Sequence, residues 1–315
     1  MKVKSLNNQK PLNNFPTLLR YNIAMSWIAK NSLTTFQKFC IKVLKCGPIP
    51  KHIAIIMDGN RRYARKEHME KAEGHSRGFN KLSECLSWCL ELGIKEVTVY
   101  AFSIENFKRT KEEVDQLLQL AKEKFTKLFE EKQRLMEHGV CIRVIGNLSL
   151  LPADLRKLMA EAVLMTKGND KAILNVAFPY TSQDEITNSI QLLVQAARNA
   201  QITIEDIDED LISCCLYTNQ SPNPEVLIRT SGEVRLSDFL LWQASESQIF
   251  FTDVLWPEFG IWHLLACIFK YQRGLKKLQG RDESGQNCQK SLRIERFLNE
   301  LNSKRIGQIE VYANV

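Results

Sequence analysis

Short apolar runs, each followed by a longer amphipathic stretch, constrain this chain of 315 residues more than anything else in it. The runs cover 53–57, 97–102, 141–145, 173–178, 226–229 and 249–251, and they are strand-length and rich in Ile, Val, Leu and Phe. Between them, apolar residues recur at helical spacing around 77–92, 111–137, 153–166, 183–200 and 258–278. Apolar strands alternating with amphipathic helices predict an α/β fold, with a central, mostly parallel sheet flanked by helices on both faces. No internal repeat is present.

Around that body the chain changes character. Residues 1–24 are rich in Asn, basic residues and Pro, and read as a disordered extension or, alternatively, as a targeting presequence. Residues 25–50 read as an amphipathic helix and linker. Leu33, Phe36, Phe39, Cys40, Val43 and Leu44 recur at helical spacing among Lys30, Lys38, Lys42 and Lys45, and Gly47-Pro48-Ile49-Pro50 ends the pattern. Such a helix either packs on the body or lies on an anionic membrane face, where each basic residue contributes about 1 kcal/mol. Residues 51–280 form the main domain. Residues 281–315 form a charged tail, read as a helix or arm without a core of its own.

Charge sharpens this division. The net charge is +7, yet residues 1–57 hold nine Lys/Arg and no acid, which leaves 34 basic against 36 acidic residues in the rest. The body therefore lacks the basic excess of a nucleic-acid binder. No apolar run reaches the roughly 20 residues that span a bilayer, and residues 1–24 lack the apolar centre of a secretory signal. The nine cysteines show no CxxC or zinc-like spacing and read as small buried hydrophobes. No GxxxxGK[ST] loop, GxGxxG turn or GxSxG elbow occurs.

In a parallel sheet, ligands bind beyond the carboxyl ends of the strands, and polar clusters fall there. Asp58-Gly59-Asn60-Arg61-Arg62 follows the first strand. Its carboxylate is a hard ligand suited to Mg²⁺ beside phosphates, and its arginines match phosphate oxygens; alone, the segment reads equally well as a strand-to-helix turn with solvated arginines. Ser103-Ile104-Glu105-Asn106-Phe107-Lys108-Arg109 follows the second strand, and in isolation reads as helix capping. Arg229 through Ser237, with Arg235 between, resembles a second diphosphate pocket. His75 is a candidate donor, although a lone histidine is more often structural. Trp256-Pro257-Glu258-Phe259 reads as packing or subunit interface, and the acidic run 206–210 as a solvated helix start.

Taken together, these segments resemble the cis-prenyltransferase family of undecaprenyl and dehydrodolichyl diphosphate synthases, over roughly residues 51–278. His52 through Arg62, Tyr100 through Phe107, Ile228 through Glu233 and Phe239 through Gln243 carry the likeness. The segment Met25-Ser26-Trp27-Ile28 resembles the start of the animal dehydrodolichyl members, which makes 1–24 an extension. The resemblance implies condensation of isopentenyl diphosphate onto a farnesyl-type allylic diphosphate, giving long polyprenyl diphosphate for dolichol synthesis and protein glycosylation. It implies that Asp58 holds Mg²⁺, that Gly59, Asn60, Arg61 and Arg62 bind the allylic diphosphate, and that Arg229, Arg235 and Ser237 bind isopentenyl diphosphate. His75, Ser103, Asn106 and Arg109 would line the reaction centre. Leu117, Leu118, Phe125, Leu128 and Phe129 would wall a hydrophobic tunnel, with core packing as an equal alternative.

Two departures bear on assembly. Many single-subunit members carry a metal-associated Glu where this chain has Gln248. They also carry an Arg-x-Gly near the C-terminus, reaching across a dimer to a diphosphate. At the expected distance this chain reads Lys276-Lys277-Leu278-Gln279-Gly280, and a literal match occurs only at Arg305-Ile306-Gly307. The resemblance then implies a Nogo-B receptor-like accessory subunit, at the cytoplasmic face of the endoplasmic reticulum membrane. A self-sufficient shorter-chain enzyme and a non-catalytic scaffold subunit are the alternatives.

Overall fold

A computed structural model describes Trp27, residues 33–278 and residues 291–314. Expectations for residues 1–24 lie outside them. Six strands, β1 (His52–Ile56), β2 (Glu96–Tyr100), β3 (Val140–Ile145), β4 (Ala172–Ala177), β5 (Val226–Arg229) and β6 (Gln248–Phe251), form one sheet in the order β3-β4-β2-β1-β5-β6. Every pairing is parallel. The α/β expectation holds, with strand ends displaced by up to two residues.

β1 and β5 are buried along their whole length, as central strands covered on both faces should be. Ile53 and Ile55 face the larger core with Val97, Val99 and Ile228, whereas Ala54 and Ile56 face a smaller cluster with Leu227, Tyr180 and Phe239. The edge strand β6 is only half buried and leaves Ile249 and Phe251 exposed.

The helices are α1 (Thr35–Leu44), α2 (Asn60–Lys66), α3 (Lys71–Leu92), α4 (Lys111–Glu130), α5 (Lys132–His138), α6 (Ala153–Thr166), α7 (Ser182–Arg198), α8 (Glu209–Cys215), α9 (Ile261–Leu278) and α10 (Leu292–Asn314). Four expectations are corrected. The helix expected around 77–92 begins at Lys71, so His75 lies within α3. The helix expected over 111–137 breaks at Glu131 into α4 and α5. The helix expected from 258 begins at Ile261, behind a 3-10 turn at Trp256–Glu258. The tail has a core after all, because Phe297 and Leu301 of α10 are buried against Leu193, Leu211 and Cys215. The acidic run does start a helix: Asp208 caps α8 by accepting from the Leu211 N–H at 2.7 Å.

Gly74 and Gly78 obscured the early start of α3 in the sequence. Both lie where α3 crosses α2. A Cβ on Gly74 would sit 2.6 Å from the Asn60 carbonyl oxygen, and one on Gly78 2.2 Å from Asn60 Oδ1. The Trp256 indole locks the same crossing by donating to the Gly78 carbonyl at 2.7 Å. Trp256 and Phe259 are wholly buried, so the packing reading of that segment holds. In a free helix Gly→Ala gains up to about 1 kcal/mol. Here Gly74→Ala should instead destabilise by about 1–3 kcal/mol, because the crowded partner is backbone; urea unfolding of the variant measures the sign.

Candidate active site

β1 ends at Ile56 in the centre of the sheet, and the chain turns there into α2 through Asp58 and Gly59. Gly59 takes φ 108°, a left-handed conformation that suits glycine, and an added Cβ would crowd Leu255 and Ser231. Its N–H donates to Asp58 Oδ1 at 2.7 Å. The Arg229 Nη2 donates to Asp58 Oδ2 at 2.8 Å. Burial pushes the Asp58 carboxyl up, but Arg229 and the Gly59 N–H outweigh it and hold the pKa below the ordinary range.

Arg229, at the end of β5, is itself 3% exposed. Its Nη1 donates to the Arg235 carbonyl at 2.5 Å and to Ser237 Oγ at 2.7 Å. It thus ties β1, β5 and the following loop together. That loop carries Ser231, Ser237, Asp238 and Leu240 at φ 79°, 50°, 60° and 48°. Such clustered left-handed non-glycine residues persist only where surrounding contacts over-determine them.

A polar pocket of about 200 Å³ opens here, lined by Asp58, Gly59, Asn60, Arg61, Arg62, His75, Arg109, Glu233 and Arg235. Arg62 hydrogen-bonds Ser231 Oγ and lies 3.3 Å from Glu233, which also pairs with Arg235. Eight of the expected site residues are therefore brought together. Arg229 and Ser237 stand behind the pocket as supports. Ser103 and Asn106 are not among its lining residues. They form a capping box on the 3-10 helix Ile104–Lys108, the alternative reading of that segment, and this turn delivers Arg109 to the pocket. Gln248 pairs with Val226 at the amino end of the sheet, and its Nε2 donates to the Tyr271 carbonyl at 3.3 Å. It is thus on the opposite edge from Asp58.

Glu113 was not singled out in the sequence, where it is one acid among several on an amphipathic helix. It is 7% exposed in the first turn of α4, and its carboxylate meets Arg109 at 2.8 Å, Lys71 at 3.3 Å and Arg61 at 3.4 Å. Burial raises its pKa, but these three cations outweigh burial and hold it below the ordinary value. One buried carboxylate therefore fixes cations that would otherwise repel one another around the pocket.

An apolar cavity of about 120 Å³ adjoins the polar pocket, between the sheet and α3 and α4. Asn60 and His75 line both, and each has a buried atom without a hydrogen-bond partner, Asn60 Oδ1 and His75 Nε2. Leu117 and Phe125 belong to its wall as expected, whereas Leu128 is fully buried in the core. Trp27 closes the far side, edge-on to Phe79 at 4.9 Å, with its indole N–H donating to the Lys124 carbonyl at 2.9 Å. Its other side lines a second, smaller apolar cavity of about 30 Å³. The sequence offered Trp27 only as part of a resemblance, since a residue so far from the sheet in sequence gives no signal of where it docks.

A cationic cradle opening into an apolar cavity suits an amphiphile with an anionic head, which is the substrate class of prenyl-group transferases. Residues 56–279 match the model of the undecaprenyl diphosphate synthase family, and the chain belongs to that family. It is 54% identical over 272 residues to the human dehydrodolichyl diphosphate synthase complex subunit, covering 86% of this chain and 82% of that protein. It is 45% identical over 244 residues to the tritrans,polycis-undecaprenyl-diphosphate synthase (geranylgeranyl-diphosphate specific) of Pyrococcus horikoshii, covering 78% and 92%. Among solved structures, lavandulyl diphosphate synthase from Lavandula x intermedia, in complex with dimethylallyl diphosphate, superposes with a TM-score of 0.68 at 32% identity, covering 71% of this chain and 95% of that one.

Two measurements probe this geometry. Glu113→Gln keeps the shape and removes the charge, so Arg61 and Arg109 lose their common anchor. Steady-state kinetics should show kcat/KM falling about 10–100-fold, the scale of a lost charge-assisted contact, with the folded state retained by circular dichroism. Burial, then Arg109, lowers the His75 pKa from 6.5 to about 4. As pH falls from 6.5 towards 4, the unfolded chain takes up a proton that the folded chain refuses, and stability declines. His75→Gln should lose less stability across that window in urea titrations than the parent chain does.

Proposed function

We propose that this chain is the catalytic subunit of a dehydrodolichyl diphosphate synthase. In this reading it extends a farnesyl-type allylic diphosphate with isopentenyl diphosphate to give polyprenyl diphosphate for dolichol synthesis and protein glycosylation. The observation that carries the reading is the junction at Asn60 and His75, where the cationic pocket meets the apolar cavity. The human relative's name, a dehydrodolichyl diphosphate synthase complex subunit, supports the product class and an assembly with a partner.

The residues take the following roles. Gly59, Asn60, Arg61 and Arg62 hold the allylic diphosphate at the start of α2, where free N–H groups favour an anion. Arg235, on the loop braced by Arg229 and Ser237, receives the diphosphate of isopentenyl diphosphate. Glu113 orients Arg61 and Arg109. His75, whose pKa burial holds well below its ordinary value, lines the junction with an uncharged ring and so adds no repulsion to the arginines. The apolar cavity takes the prenyl chain and keeps water from the reacting carbon. Asp58 and the diphosphates suit Mg²⁺, which keeps few protein ligands and favours phosphate oxygens. When bound, that ion would neutralise charge on the departing diphosphate.

The partner in this reading is a Nogo-B receptor-like subunit. In this reading the partner supplies the Arg-x-Gly; Arg305 lies in α10 and is not among the residues lining the pocket of its own chain. The open edge of β6 with exposed Ile249 and Phe251, beside exposed Trp262 and Phe269 of α9, offers a face for a second subunit. Peripheral attachment to the endoplasmic reticulum membrane is supported by α1, whose exposed Phe36, Phe39 and Val43 accompany Lys38 and Lys42 with no acid. Among the described residues no helix is long and apolar enough to cross a membrane.

The test is isopentenyl incorporation by the purified chain with farnesyl diphosphate and Mg²⁺, with and without the accessory subunit. Activity that requires the subunit supports the proposal; strong activity of the chain alone overturns the partner role, and none in either arm favours a scaffold. Asp58→Ala should lower turnover about 10²–10³-fold, and near-parental turnover would overturn the site assignment.

A further inference from the structure

The arginine of the literal Arg305-Ile306-Gly307 match lines a different cavity. That cavity, about 550 Å³, exceeds the diphosphate pocket and the apolar cavity combined. Its floor is the end of the outer strand β3 from Arg143 and the turn that follows it to Asn147, and its roof is Lys304, Arg305, Gln308 and Ile309 of α10. β4 and β2 separate β3 from β1. Three strand spacings, roughly 14 Å, therefore divide this cavity from the Asp58 pocket.

The lining is one-sided in charge. Arg143, Lys304 and Arg305 are cations, and no lining residue is a carboxylate. Arg143 faces Glu96 at 3.7 Å, and its Nη1 donates to the Gln220 carbonyl at 2.9 Å. Lys304 pairs with Glu300 at 2.8 Å. Asp184 lies behind Tyr217, whose hydroxyl donates to it at 2.9 Å. Arg305 differs from the other two cations. No ion pair with it occurs among the described residues; its Nη2 donates to the Cys215 carbonyl at 2.5 Å, and its Nη1 is out of solvent and without a partner. Burial also lowers its pKa. A guanidinium in such a place has unmet hydrogen-bonding capacity, which an anion in the cavity would satisfy once the side chain turns Nη1 toward it.

We infer that this cavity is a second anion site, taking a phosphate monoester with Arg305 as its main anchor. The planar fork of arginine matches phosphate oxygens, and Asn188, Asn219 and Gln308 supply neutral amides around it. The volume exceeds what a bare phosphate needs and falls in the roughly 300–1,000 Å³ range of small-molecule sites. Val163, Leu192 and Ile309 give the rest of such a ligand an apolar wall. Because floor and roof belong to β3 and α10, a bound ester also bridges the C-terminal helix to the sheet. The site is independent of the catalytic reading, since none of its lining residues belongs to the Asp58 pocket.

Titration calorimetry of the full chain with inorganic phosphate and with glycerol 1-phosphate tests it. Binding of the ester should persist in Arg235→Ala, which disables the catalytic pocket, and weaken about tenfold or more in Arg305→Gln. Hydrogen exchange over Leu292–Asn314 should slow on binding. Should Arg305→Gln release α10, seen as fast exchange without ligand, Asn188→Leu leaves α10 untouched and should still weaken binding several-fold. Retention on phosphatidic acid vesicles that is lost in Arg305→Gln identifies a lipid headgroup as the source; ester binding without retention identifies a soluble one. Binding that vanishes in Arg235→Ala, or that is equal in the parent, Arg305→Gln and Asn188→Leu, overturns the proposal.

Discussion

The contact between Asp58 and Arg229 holds the site in register. Its 2.8 Å ion pair joins the ends of two adjacent central strands. The same guanidinium, almost wholly buried, grips the loop that presents Arg235 and Ser237. Removing the partly exposed Asp58 would strand the buried charge of Arg229 without its carboxylate. That penalty explains how a loop with several left-handed non-glycine residues keeps one shape. The same contact also keeps Asp58 ionised.

Around this post, like charges are made compatible by one acid. Arg61, Arg109 and Lys71 approach from α2, from the turn after β2 and from α3, and Glu113 meets all three from α4. Close-packed glycines let α3 ride against α2, so that His75 and Asn60 stand where polar pocket and apolar cavity meet. An amphiphilic substrate needs this boundary: its head must be neutralised by fixed donors while its chain is kept from water. A site entirely of either kind would hold only half of it.

Much of this is legible in the sequence. Apolar runs of strand length place β1 to β6, because a doubly covered strand must be apolar throughout. Asp58 through Arg62 and Arg229 through Ser237 follow two of those runs directly, so their shared edge follows from topology. Ser103 and Asn106 were harder, since the hydroxyl and amide that could meet a substrate also cap a turn, and here they cap it. Arg229 was expected to touch a diphosphate, but its Nη1 and Nη2 are engaged by the protein itself. Helical spacing could not reveal the break at Glu131, where the apolar stripe continues across the interruption.

Local composition by itself determined the class of the fold, the edge on which the site lies and the chemistry of its head-group pocket. These depend on residues adjacent in sequence: an apolar run, then a turn, then a charged helix start. Tertiary structure alone decided that Glu113 binds three cations, that Trp27 closes the apolar cavity and that Arg305 of α10 lines a separate cavity instead of the Asp58 pocket. Apart from the pair of Glu113 with Arg109, four residues away, each of those outcomes is a contact between segments far apart in the chain. Such contacts are set by which packed faces meet, and nothing in a residue's sequence neighbours records them.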